Sequence, residues 1–149
     1  MSLKIEYSIT ARCRPEKLWQ VFTQLERWPH FDPATLSEAR WLSGEPWTPG
    51  ARFVLGLRKP VPIQLTTEVV AVEPAARLQL RGEGSGVTAE QQYELHWDEA
   101  AAATELRTVQ EFSGAPIMFF GSAIKPQLEQ GIAQLFAGLV AEAEAEVEA

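Results

Sequence analysis

The chain has 149 residues, 46% of them hydrophobic and 22% charged, with a formal net charge of -7. That apolar content suffices for a buried core and the length fits one domain, which argues against disorder and against two domains. The longest stretch without a charged side chain, Phe112 to Ile124, has 13 residues and contains Gly114 and Pro116, whereas a bilayer span takes roughly 20 apolar residues. No basic segment leads into an apolar run at the start of the chain, so we expect a soluble, cytoplasmic protein without a signal peptide.

The acidity is concentrated at one end. Five Glu and no Lys or Arg lie between Pro126 and Ala149, which leaves 13 positive and 15 negative charges on the first 125 residues. A nearly balanced body without a basic block argues against nucleic acid as a partner. Cys13 is the only cysteine, so no internal disulfide and no thiolate-rich metal site is expected, and the residue reads as a small packing side chain.

Leu3, Ile5, Tyr7 and Ile9 alternate with Lys4, Glu6, Ser8 and Thr10, the period-2 pattern of a half-buried strand. Pro15 suits the first turn of a helix whose apolar face is Leu18, Val21, Phe22 and Leu25, and Trp28-Pro29-His30-Phe31-Asp32-Pro33 stops it. Six sheet-forming segments follow. Ala39, Trp41 and Ser43 lead into the Gly44 to Gly50 turn. Phe53, Leu55 and Leu57 lead into Arg58-Lys59-Pro60-Val61-Pro62. Ile63, Leu65, Thr67 and Val69 are followed by a phase break at Val70 and Val72 that predicts a bulge. Leu78 and Leu80 precede a hairpin over Gly82 to Gly86, and Val87 through Trp97 pairs with Leu106 through Phe112.

After Gly114 and Pro116 the period becomes helical. Ile117, Phe120, Ile124, Leu128, Ile132, Leu135, Leu139 and Ala143 form one stripe, with a kink expected at Pro126. Glu142/Glu146 and Glu144/Glu148 are like charges at i,i+4 near a helix end that favours cations, so residues 142–149 are expected to fray as an acidic tail of one 1–149 domain. The order of elements predicts an α+β fold in which a curved antiparallel sheet of about seven strands wraps a long C-terminal helix, with two short helices after the first strand.

This pattern resembles the START-like, birch-pollen-allergen-like helix-grip superfamily, in its polyketide cyclase/dehydrase and lipid-transport type. The resemblance rests on Ile9-Thr10-Ala11 through Pro15-Glu16-Lys17-Leu18-Trp19, Trp28-Pro29, the Gly44 to Gly50 turn, Val72-Glu73-Pro74, and Phe112-Ser113-Gly114 before the long helix. It covers the whole chain, and these residues bear on architecture more than on activity. It implies a cavity between sheet and helix.

The inward strand positions offer hydroxyls and amides but no group that titrates near neutral pH, which points to binding rather than acid-base catalysis. The candidate ligand-binding residues are Tyr7, Trp41, Phe53, Leu55, Thr67, Gln91, Tyr93, Thr108, Gln110, Phe120, Ile124 and Leu128. Among them Gln91, Thr108 and Gln110 either orient a neutral carbonyl or hydroxyl of a ligand or bond to one another. No catalytic residue, metal ligand or cofactor site is assigned. His30 and Asp32, the one His/carboxylate pair close in sequence, read as turn-shaping residues, the alternative being an active role at the cavity edge, and Trp47 reads as a loop anchor, the alternative being a partner contact.

Hairpin parity puts the Arg58-Lys59-Pro60 turn, the Gly82 to Gly86 hairpin and the Ile117 to Phe120 helix start at one end, the expected mouth. The expected function is binding, transport or sensing of a small, largely neutral hydrophobic molecule. An enzyme like the polyketide aromatase/cyclases is the alternative, and a co-chaperone-like interaction module the second.

Overall fold

The alternating segments pair into one antiparallel sheet in the order β1-β7-β6-β5-β4-β3-β2. Its strands are β1 (Ser2–Ala11), β2 (Leu36–Ser43), β3 (Arg52–Leu57), β4 (Ile63–Glu73), β5 (Arg77–Gly84), β6 (Val87–Asp98) and β7 (Ala103–Ser113). The computed structural model describes residues 2–59 and 61–148, with side chains described only to Ala145 at the C-terminal end. Pro60, in the turn expected after Lys59, and Ala149, the end of the expected tail, lie outside the described residues.

Alternation maps onto burial as expected for a sheet with one covered face. Leu3 and Ile5 are buried while Lys4 and Glu6 are exposed. The phase break in β4 is a register shift against β5 between Val69 and Ala71, which is where Val70 turns outward. Ser85 and Gly86 both take positive φ, 52° and 80°, the geometry of a two-residue hairpin turn whose twist matches the flanking strands.

Between β1 and β2 lie α1 (Pro15–Phe22), a short 3-10 turn (Leu25–Arg27) and α2 (Trp28–Phe31). The last element, α3 (Ala115–Glu148), stays helical through Pro126. Its start is fixed by Gly114, whose φ is 113° and where a Cβ would come within 1.9 Å of the Gly86 carbonyl oxygen. Only glycine permits that approach of the α3 junction to the β5–β6 hairpin.

The two halves of α3 pack differently. In the second half Leu135, Phe136, Leu139, Val140 and Ala143 are buried against Leu18 and Phe22 of α1 and against Leu78, Leu95 and Leu106 of the sheet. Each fully buried leucine or phenylalanine there contributes on the order of 1.5–3 kcal/mol. In the first half Ile124 and Leu128 are only half-buried, and Met118, Phe119 and Phe120 are exposed. The core is therefore solid under the end of α3 and open under its beginning. No helix among the described residues is long and apolar enough to cross a membrane.

The expectation of a frayed tail fails from Glu142 to Ala145. Ala143 is fully buried, Glu142 pairs with Arg27 at 2.5 Å, and a Glu144 carboxylate oxygen accepts the Arg12 backbone N–H at 2.7 Å. Glu142 and Glu144 find tertiary partners on the α1–α2 segment and at the end of β1, contacts that sequence spacing does not reveal. Trp47 is the loop anchor expected: its indole N–H donates to the Thr23 carbonyl at 2.7 Å, and its ring packs on Trp41 at 5.0 Å.

Candidate functional site

Under the first half of α3 the sheet and helix enclose a cavity of about 470 Å³. Ile63 and Leu65 of β4, Val87 of β6 and Phe112 of β7 form the sheet side, and Ile117, Phe120, Ile124 and Leu128 form the helix side. Val61, Ser85 and Pro116 rim it, so the mouth lies at the end that hairpin parity indicates. Among the described residues no charged side chain lines it.

A second chamber of about 60 Å³ lies deeper and shares Leu57, Leu65, Phe112 and Leu128 with the first. Its walls include Trp28, Leu36, Leu55, Ile132 and Leu135, and its polar groups are Asp32, Thr35, Gln91, Tyr93 and Gln110. The two chambers thus grade from an apolar mouth to a polar inner end.

Pairing register assembles part of that inner end. Gln91 faces Gln110, and Tyr93 faces Thr108, across β6 and β7. Gln91 Nε2 donates to Gln110 Oε1 at 3.1 Å, and Gln110 Nε2 donates to the Tyr93 hydroxyl and to Thr108 Oγ1, each at 3.2 Å. Thr108 in turn donates to the Gln92 carbonyl at 2.7 Å. The amides and hydroxyls therefore hold one another in place, and burial pushes the Tyr93 phenol far above its usual range.

Asp32 enters from the α2 end. The stop signal Trp28 to Pro33 turns the chain so that this carboxyl is 1% exposed, beneath α3. A Cβ at Gly131 would come within 2.9 Å of Thr35 Oγ1 and 3.4 Å of Asp32 Oδ2, and one at Gly138 within 2.8 Å of the Phe31 side chain. Two glycines on α3 therefore permit the close approach that seals Asp32 in. Burial raises its pKa, and hydrogen bonds from the Thr35 side chain and backbone pull it part of the way back. Oδ1 is buried without a hydrogen-bond partner.

Of the candidate residues, Leu55, Gln91, Tyr93 and Gln110 line the inner chamber, Phe120 and Ile124 the outer one, and Leu128 both. The other five line neither. Tyr7 packs its ring on Phe136 at 5.7 Å under the solid half of α3. Phe53 and Trp41 join Trp47 and Trp28 in an aromatic cluster, with Phe53 within 5.3 Å of Trp41 and 6.2 Å of Trp28. Thr67 is buried beside Gly82, and Thr108 is bound to the Gln92 carbonyl. All five have the inward parity expected, but aromatic packing or backbone hydrogen bonds occupy them.

The sequence pattern reads Asp32 as turn-shaping, or as active at the cavity edge; in the structure it lines the inner chamber as a titratable group. His30 is exposed and His96 pairs with Glu94 at 2.8 Å on the outer face. Cys13 is buried, and burial, ahead of nearby Glu144, pushes its thiol upward, as fits a packing residue.

Residues 2–144 match the family model described as polyketide cyclase / dehydrase and lipid transport. The chain belongs to that family. No curated protein matches the sequence significantly.

Among solved structures, this member of the polyketide cyclase / dehydrase and lipid transport family is similar to the Zhui aromatase/cyclase from a Streptomyces species. The TM-score is 0.79 at 14% identity, over 99% of this chain and 96% of that one. It is also similar to Ara h 8.0201, with a TM-score of 0.75 at 13% identity over 97% and 99% of the two chains. Norcoclaurine synthase from Thalictrum flavum, in complex with dopamine and hydroxybenzaldehyde, aligns with a TM-score of 0.70 at 12% identity over 98% and 88%. At these identities the likeness shows the shared helix-grip fold alone.

Proposed function

We propose that the protein binds a small, largely neutral hydrophobic molecule between the sheet and the first half of α3, as a carrier or sensor. The observation that carries this reading is the cavity of about 470 Å³, walled mainly by aliphatic and aromatic side chains, with Ser85 and Gln127 as its polar groups and no charged side chain among the described residues. Apolar walls favour an apolar guest at about 25 cal/mol per Å² removed from water. Leu55, Phe120, Ile124 and Leu128 supply contact area, while Gln91, Tyr93 and Gln110 orient the inner end.

Thermal unfolding in the presence of sterols, fatty acids, flavonoids and aromatic polyketides tests the proposal. A ligand at 100 times its dissociation constant adds about 2.7 kcal/mol of stability. A panel without a single upward shift in Tm overturns it.

A second reading is favoured by one observation, the titratable Asp32 lining the inner chamber. A carboxyl beside a bound reactive chain is a candidate proton acceptor, as cyclisation of a poly-β-ketone requires, and the aromatase/cyclase above has this fold. Turnover of a poly-β-ketone analogue that is lost in Asp32→Asn supports this second reading, and binding without turnover supports the first.

A further inference from the structure

Among the described residues, Asp32 is the one side chain with a buried polar atom that lacks a hydrogen-bond partner. Its carboxyl is 1% exposed, its Oδ1 has no partner, and it lines a chamber otherwise walled by apolar side chains and neutral polar groups. An unpaired buried carboxyl oxygen costs about 1–3 kcal/mol or more, and the fold hardly needs it for the turn, since Thr35 already engages the same side chain. Gly131 is kept small where the helix passes over the Asp32 and Thr35 pair.

We infer that the inner chamber is a subsite for a hydroxyl group carried at the leading end of an otherwise apolar ligand, whose O–H donates to Asp32 Oδ1. This rests on the binding reading above. A chamber of about 60 Å³ admits a hydroxyl-bearing ring edge or chain end, in place of the water that such a space accommodates.

The neutral partners select a hydroxyl over an ammonium. The Gln91 amide nitrogen carries two N–H groups, of which Gln110 takes one. A hydroxyl donates to the carboxyl and still offers lone pairs to an amide, whereas an ammonium offers none. An ammonium would also enter with a full charge to desolvate, in a site where Asp32 is the one charged side chain among the described residues.

Matched probes test the inference by isothermal titration calorimetry of the full chain. We use 2-naphthol, which has the donor, and 2-methoxynaphthalene, which keeps the oxygen acceptor and loses the donor. The wild-type protein is expected to bind 2-naphthol about tenfold more tightly, as a hydrogen bond to a charged group implies.

In Asp32→Leu the preference disappears while 2-methoxynaphthalene binds within about threefold of wild type. Asp32→Asn has nearly the same shape and provides a folded comparison if the leucine variant does not fold. Its neutral acceptor leaves a preference of about threefold. Equal affinity of the two probes for the wild type overturns the subsite and leaves the cavity reading intact. A preference unchanged in both variants also overturns it, because the donor then bonds elsewhere. Failure of both probes to bind overturns the subsite, while the cavity reading stands or falls separately on the thermal panel.

Discussion

Replacing Ile124 by Trp separates an open cavity from a packed core. Ile124 is half-buried on α3 and lines the outer chamber with Phe112, Ile117 and Phe120. The substitution adds roughly 60 Å³, about two liquid water volumes, to a wall facing a cavity of about 470 Å³. The indole has room, so we expect a stability loss below about 1 kcal/mol, or about 3 °C in Tm for a chain of this size. The same bulk lies in the path of a ligand, and affinity should fall at least about tenfold, an effect near 1.4 kcal/mol.

The control is Leu139→Trp. Leu139 is fully buried under the solid half of α3, where overpacking costs about 1–3 kcal/mol or more and lowers Tm by several degrees. Leu135 is a poorer control, because it lines the inner chamber. Scanning calorimetry gives the stabilities, and titration with a ligand from the thermal panel gives the affinities. Equal losses of stability at positions 124 and 139, or full ligand affinity in Ile124→Trp, would refute the reasoning.

Two further outcomes follow from particular contacts. Ending the chain after Ala141 removes the Arg27–Glu142 pair, the buried Ala143 and the Glu144 acceptor for the Arg12 N–H, and should cost about 2 kcal/mol in urea unfolding; an unchanged midpoint would show that these contacts contribute nothing. Burial raises the Asp32 pKa in the folded protein, so the folded state holds that proton more tightly than the unfolded chain. Its stabilising share is full below the unfolded value of about 3.9 and is lost as pH rises through the folded one. Asp32→Asn should therefore be more stable than wild type at pH 7, with the advantage shrinking toward pH 4, and an advantage independent of pH would contradict the assignment.

Most of the fold is legible in local patterns because each pattern has one physical cause. Alternation in β1 and in β6 gives the buried face, the Val70/Val72 phase break marks the bulge at Val69/Ala71, and Gly86 supplies one of the two positive-φ positions of the Ser85-Gly86 turn. The site is less legible. Face parity says which way Tyr7, Trp41 and Phe53 point, but not that Phe136, Trp47 and Trp28 fill the space before them. Thr67 and Thr108 point inward too, yet one is covered beside Gly82 and the other is bound to backbone.

The burial of Asp32 is not legible in the sequence, because a carboxylate between an aromatic and a proline carries the same signal as any exposed turn. Its burial depends on α3 passing closely overhead at Gly131 and Gly138, about a hundred residues away in sequence. The Glu142 and Glu144 contacts are hidden for the same reason. A hydrogen bond between distant elements leaves no periodicity in either.

Native mass spectrometry of the purified protein, before and after incubation with the sterol, fatty acid, flavonoid and polyketide panel, tests the central claim most directly. The account predicts a one-to-one complex with an apolar, largely neutral compound, present on the wild type and absent from Ile124→Trp. A wild-type protein that carries no adduct and takes up none from the panel would contradict it.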